Sequence, residues 1–143
     1  HNAALFGYQV LIDEDENILE ELENYLGASL DVSIEEIERK VHELSGIFIP
    51  AHIDRPRNSL FSQLGFFPPE LKVDALQISK LANEIAIREK YKISQDITIV
   101  KFSDTHFPAD LGKIYTNFEM ENATFDEIRK ALTREDGRNV WIP

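Results

Sequence analysis

Two short apolar runs constrain this chain more than any other feature. Ile97-Thr98-Ile99-Val100-Lys101-Phe102 and Ile47-Phe48-Ile49-Pro50-Ala51 read as buried strands. The second is fed by Ser33-Ile34-Glu35-Glu36, which has the form of a capping box. That box opens a helix with Ile34, Ile37, Val41 and Leu44 on one face and Gly46 after its end. A helix passing through a glycine turn into a fully apolar strand is the αβ half of a parallel unit, so the chain reads as α/β.

Each run ends on chemistry. Ser103-Asp104-Thr105-His106 follows the first, and His52 follows the second. In parallel α/β folds the loops at the carboxyl ends of the strands converge, and active sites gather there. Imidazole nitrogen and carboxylate oxygen at that end suit a divalent metal and hydrolytic chemistry. The chain has no cysteine, so thiolate ligands, disulfides and a cysteine nucleophile are excluded. A plainer reading stands beside this one: His52 as a hydrogen-bonded structural residue, and Asp104 as a turn cap. Arg55, three residues after His52, can clamp a phosphate or pair with Asp54 or another neighbour.

Elsewhere, 3–10 reads as a strand and the acidic stretch Asp13 to Glu23 as the start of a helix, with Ile18, Leu19, Leu22 and Leu26 at helical spacing and Gly27 as its stop. The run Asp13-Glu14-Asp15-Glu16 reads as a solvated helix start rather than a cation site. Strands are expected over 74–79 and 113–120, and helices over 82–91 and 124–132. The connection 53–69 carries Phe61, Phe66 and Phe67, which either stack on a base or sugar or cover the fold. His42 reads as a solvated surface group on its helix. No repeat, low-complexity run or linker divides the chain, so 1–143 reads as a single α/β unit.

Acidic residues outnumber basic ones 26 to 15, a formal net charge of −11. That charge argues against general nucleic-acid binding and against an anionic membrane surface, while a local basic pocket for a small phosphate ester stays open. No apolar run reaches the ~18 residues needed to span a bilayer. Absent cysteine and no visible signal peptide fit the cytoplasm.

At its strand ends the sequence resembles the PHP family, the polymerase-and-histidinol-phosphatase metal-dependent phosphoesterases. Ile49-Pro50-Ala51-His52-Ile53-Asp54-Arg55-Pro56 is similar to the family's third motif, and Phe102-Ser103-Asp104-Thr105-His106 to its fourth, with Thr105 where Ala is usual. Phe118-Glu119-Met120-Glu121, the helix after Thr124 and Glu135-Asp136-Gly137-Arg138 resemble the closing segment. His1-Asn2-Ala3-Ala4-Leu5-Phe6-Gly7 is similar to the strand in which a family His follows the second-motif Glu.

The resemblance implies part of a distorted (β/α)₇ TIM-like barrel holding up to three divalent ions (zinc, manganese or iron). It implies His52, Asp104, His106 and His1 as metal ligands and Arg55 as the phosphate contact. The family's first-motif His-x-His has no counterpart here, so the chain reads as the C-terminal portion of a PHP-type domain whose N-terminal strands lie outside it. The expected activity is phosphate ester hydrolysis in the intact parent, on a small phosphorylated substrate or nucleotide. The alternatives are a non-catalytic PHP-like scaffold and an exonuclease-type PHP domain.

Overall fold

The computed structural model describes residues 2–143. It divides into two compact units, one up to Val32 and one from Ser33 to Pro143, where the sequence reads as one. Among the described residues no helix is long and apolar enough to cross a membrane.

The first unit departs from the sequence reading. The expected strand over 3–10 is instead a short helix, α1 (Ala3–Phe6), capped by the Asn2 side chain and closed at Gly7, whose φ of 76° suits glycine. The expected acidic helix is a hairpin of β1 (Val10–Ile12) and β2 (Ile18–Glu21), paired antiparallel. The reason is local. Asp13 Oδ1 accepts the backbone N–H groups of Asp15 at 3.0 Å and Asn17 at 2.8 Å, which reverses the chain where a helix would continue. Helical spacing of four apolar residues did not outweigh that turn.

The second unit holds the cores. Its first helix, α2 (Ile34–Glu43), begins as expected, with Ser33 accepting from the Glu36 N–H at 3.2 Å. Gly46 ends the turn after it, packed directly on Val41. The chain then runs extended beside β3 (Leu76–Gln77). Phe48 and Pro50 carbonyls accept from Asp74 and Gln77, and the Gln77 carbonyl accepts from Ile53. These bonds advance in the same direction on both segments, which makes the pairing parallel. β3 in turn pairs parallel with β4 (Ile99–Val100).

Alternation along the strands feeds two cores, one on each face. Leu76, Ile78 and Ile99 join Ile53, Leu60, Phe61, Leu71 and Ile93, while Ala75 and Val100 join Leu132. Burial on both faces explains why the strand sequences are apolar throughout. Each fully buried Leu or Ile contributes about 1.5–3 kcal/mol. Helix α3 (Leu60–Leu64) carries a complete capping box between Ser59 and Ser62. Helix α4 (Glu84–Tyr91) starts at Asn83 and is held at its far end by the buried Arg88, which donates to the Ser94 and Ile97 carbonyls.

After β4 the chain passes a short 3₁₀ turn, Pro108–Asp110, and returns as β5 (Asn117–Glu119). Helix α5 (Phe125–Thr133) follows its expected Thr124 cap. The tail forms β6 (Asn139–Trp141), paired antiparallel with β5, an element the sequence did not announce. The described residues are thus mixed α/β, with three separate two-stranded pairings and no closed barrel.

His42 is not the solvated group expected. Its Nδ1 stands 2.6 Å from Glu38 Oε1 and its Nε2 3.0 Å from Asp74 Oδ2, which also accepts the Phe48 N–H at 2.6 Å. The ring ties α2 to the two extended segments beside it. Phe61 is buried and stacks on Tyr91 with centroids 3.9 Å apart, and Phe67 packs on the same core, whereas Phe66 is exposed.

Candidate active site

The carboxyl ends of the parallel segments bring together residues far apart in sequence. His52 closes the 48–53 segment, and Asp54 Oδ1 accepts the Ser79 N–H at 2.7 Å, which fixes that loop to the one after β3. The Ser59 hydroxyl donates to the Arg55 carbonyl at 2.6 Å and holds the loop's other side. Beyond β4, Ser103 Oγ donates to the Ile114 carbonyl at 2.8 Å and accepts the Ile114 N–H at 3.2 Å, which secures the start of the Asp104 loop.

At the centre, Asp104 Oδ2 lies 2.9 Å from Arg55 Nη2 and 3.4 Å from His52 Nε2. Of the protein partners sequence allowed Arg55, the guanidinium pairs not with Asp54 but with a carboxylate in the loop beyond β4. His52 and Asp104 both sit in left-handed backbone conformation, at φ 47° and 50°. Such geometry on non-glycine residues costs about 1–3 kcal/mol and gathers at functional sites. Ser45, Lys92 and Arg134 share it where helices terminate, and Glu16, Asn58 and Asp136 share it in turns and loops. His52 follows the extended segment beside β3 and Asp104 lies in the loop beyond β4, and the two side chains approach to 3.4 Å.

His106 is arranged differently. Its Nδ1 lies 2.8 Å from the Asp104 carbonyl, which can only accept, so Nδ1 is the donor in this contact and Nε2 is left facing away from it. A backbone carbonyl holding Nδ1–H is the usual support for an imidazole that ligates through Nε2. The ring is turned onto its own loop, so His106 is not drawn together with His52 and the Asp104 carboxylate. His1 lies outside the described residues.

Whether these residues suit a divalent ion can be tested on two observations. Two ligands of one tetrahedral ion at bonds of about 2.1 Å stand about 3.4 Å apart, and the His52–Asp104 separation matches that edge. His52 Nδ1 is buried and has no hydrogen-bond partner among the described residues, which marks an incomplete environment. Against this, no group of three or more His, Asp or Glu side chains able to hold a metal forms among the described residues. The donors present fit one edge of a site and do not complete it.

Comparison with known proteins speaks to the family and not to the metal fit. Residues 82–136, which include Asp104 and His106 but not His52 or Arg55, match the PHP-associated family model. The relationship to the PHP family read from the strand ends therefore stands. The chain is 27% identical over 115 residues to the uncharacterized protein YqxK of Bacillus subtilis (strain 168), an alignment covering 73% of this chain and 28% of that protein. Among solved structures it is similar to the lesion-specific endonuclease PfuEndoQ from Pyrococcus furiosus, at a TM-score of 0.69 and 30% identity over 78% of this chain and 29% of the other. It is also similar to Endonuclease Q in complex with a 27-mer duplex substrate bearing an abasic lesion at the active site, at a TM-score of 0.56 and 27% identity, with 77% and 29% covered. The chain spans less than a third of the length of these relatives.

One expectation is corrected by this result. The sequence reading assigned a small phosphorylated substrate or nucleotide and no general nucleic-acid binding, yet a structural relative is seen on a duplex substrate. Net charge averages the whole surface, whereas phosphate contacts depend on charge placed locally.

Proposed function

We propose that this chain supplies part of the active site of a PHP-type, metal-dependent endonuclease that hydrolyses a phosphodiester in lesion-bearing duplex nucleic acid. The observation that carries the reading is the convergence of His52 and Arg55 on Asp104 Oδ2, with both strand-end residues held at positive φ. In this reading the unit 33–143 belongs to a distorted (β/α)₇ barrel whose other strands lie outside the chain. His52, Asp104 and His106 contribute ligands to divalent ions (zinc, manganese or iron, up to three in a complete site), and His1 is a fourth candidate on sequence pattern alone. A cation bound there would supply Lewis-acid polarisation and acidify water.

The chain's own part is positioning and charge. The Arg55–Asp104 pair is roughly half exposed at the guanidinium, and exposed pairs contribute only about 0–1 kcal/mol. Arg55 can therefore exchange its carboxylate partner for a phosphate, to which it bonds bidentately and more strongly. That exchange also releases Asp104 Oδ2 for a cation as the substrate arrives, which couples substrate binding to ligand availability.

The test is metal analysis and cleavage with the natural-length protein. Zinc, manganese and iron are quantified, and a 27-mer duplex carrying an abasic site is offered as substrate. The reading expects bound metal and a loss of both metal and cleavage by more than about tenfold in Asp104→Ala. No bound metal together with unchanged cleavage in that variant would overturn it.

A second reading rests on the lack of a third donor among the described residues: a non-catalytic PHP-like scaffold, in which Arg55 neutralises Asp104 permanently. It expects no metal and no cleavage in the unsubstituted protein, so the same measurement separates the two.

A further inference from the structure

We propose that Lys80, Lys101 and Lys113 form a phosphate-binding pocket beside the strand ends, which takes a backbone phosphate of the duplex away from the cleaved bond. This rests on the nuclease reading above and specifies how so acidic a chain engages a polyanion. A cavity of about 360 Å³ is lined by these three lysines with Tyr115 and Ile142, and no acidic side chain faces it. The placement is systematic. Lys80 follows β3 by three residues, Lys101 follows β4 directly, and Lys113 lies on the segment returning from β4. All three therefore belong to the end of the sheet that carries His52 and Asp104.

The backbone holds them there. Thr116 Oγ1 accepts the Lys101 N–H and donates to the Lys101 carbonyl, both at 2.9 Å. Ser103, next to Asp104, clamps Ile114, next to Lys113. The pocket wall and the Asp104 loop are thus parts of one hydrogen-bonded ladder. The ammonium groups are also available. Lys101 donates to the Ala82 carbonyl, which aims it while using one of its three donors. Lys113 pairs with Asp110 at 2.7 Å in an exposed contact that exchanges readily. Lys80 has no ion pair or hydrogen bond among the described residues.

Charge separates this pocket from the other depressions of the unit. A larger one of about 750 Å³ along α2 sets five glutamates against Arg39, Lys72 and His42, an acidic excess that disfavours phosphate. Another of about 640 Å³ carries Lys90 and Lys92 but is walled mainly by apolar groups, among them Phe61, Phe66 and Tyr91. Of these three, the lysine pocket carries the largest excess of positive charge, and three point charges around a small cavity match a phosphate rather than a planar base.

The experiment measures binding of a fluorescein-labelled 27-mer abasic duplex to the natural-length protein by anisotropy, in EDTA so that cleavage does not intervene, across a series of NaCl concentrations. Lys80→Gln with Lys113→Gln should raise Kd about tenfold and reduce the slope of log K against log salt by about 1. Both side chains are exposed, so melting temperature should not change. Lys40→Gln, an exposed lysine on α2, should leave both quantities as they are. If the double variant binds as the unsubstituted protein does, or Lys40→Gln weakens binding equally, the pocket is overturned while the nuclease reading survives. If the unsubstituted protein does not bind the duplex at all, both fall together.

Discussion

Arg55 Nη2 lies 2.9 Å from Asp104 Oδ2, on the oxygen that also stands 3.4 Å from His52 Nε2. One carboxylate oxygen thus faces a guanidinium and an imidazole delivered by a strand end about fifty residues away. In a stable scaffold this would be a minor surface contact. At the carboxyl end of a parallel sheet, with His52 and Asp104 at positive φ, it is the contact on which the proposed exchange of charge partners rests.

Arg55→Ala should therefore separate stability from activity. Stability should move by less than about 1 kcal/mol, because the pair is exposed. Cleavage of an abasic duplex by the natural-length protein should fall about 10²-fold, the usual loss when one preorganised donor to a developing charge is removed. Arg55→Lys restores the charge without the fork and should recover only part of the rate. Thermal melts alongside single-turnover cleavage read both quantities.

His42 gives the fold a pH dependence. Its hydrogen bond to Asp74, and secondarily that to Glu38, raise its pKa above 6.5, with burial opposing. A raised folded pKa means the contribution is complete below about the unfolded value and is lost as pH rises through the folded one. Stability of the natural protein relative to His42→Gln should thus be greatest near pH 5–6 and shrink toward alkaline pH. Urea midpoints across that range test it; parallel curves for the two proteins would refute it.

Glu127 works at the acid end. Arg138 grips it with both arms, Nε on Oε2 at 2.8 Å and Nη2 on Oε1 at 3.1 Å, and the Glu121 N–H donates to it as well. These partners, Arg138 first, lower its pKa to about 2. Its contribution is present above the unfolded value of 4.5 and disappears as pH falls through about 2. Glu127→Gln should melt at a lower temperature than the natural protein at pH 6, and the gap should close between pH 4 and pH 2. Circular dichroism melts over that range supply the comparison.

Gly46 is required by proximity. A Cβ there would lie 2.8 Å from Val41 Cγ1 and 2.9 Å from the Val41 carbonyl oxygen, and the latter is backbone that cannot swing away. Gly46→Ala should cost about 1–3 kcal/mol, the range for overpacking. Val41→Ala in the same background should relieve only the side-chain part. A double-mutant cycle by chemical denaturation measures the split.

What could be read in the sequence was what depends on neighbours along the chain. Ser33 and Thr124 announced their helices because a cap acts within one turn. The apolar strand cores were visible because burial on both faces leaves no polar alternation. The hairpin at β1 and β2 was missed because an Asp13 side chain can satisfy backbone donors that a helix would use, and spacing alone does not reveal which wins. β6 was missed because its pattern has meaning only against β5.

The same division runs through the site. The order of residues alone determined that His52, Asp104 and His106 stand beyond apolar runs, since such runs and the polar residues that stop them are written locally. Only the tertiary structure decided that Arg55 reaches Asp104, that His42 is a structural link, and that three lysines share one pocket. Those outcomes depend on which strands lie side by side, and that is set by long-range packing of the two cores rather than by any stretch of sequence.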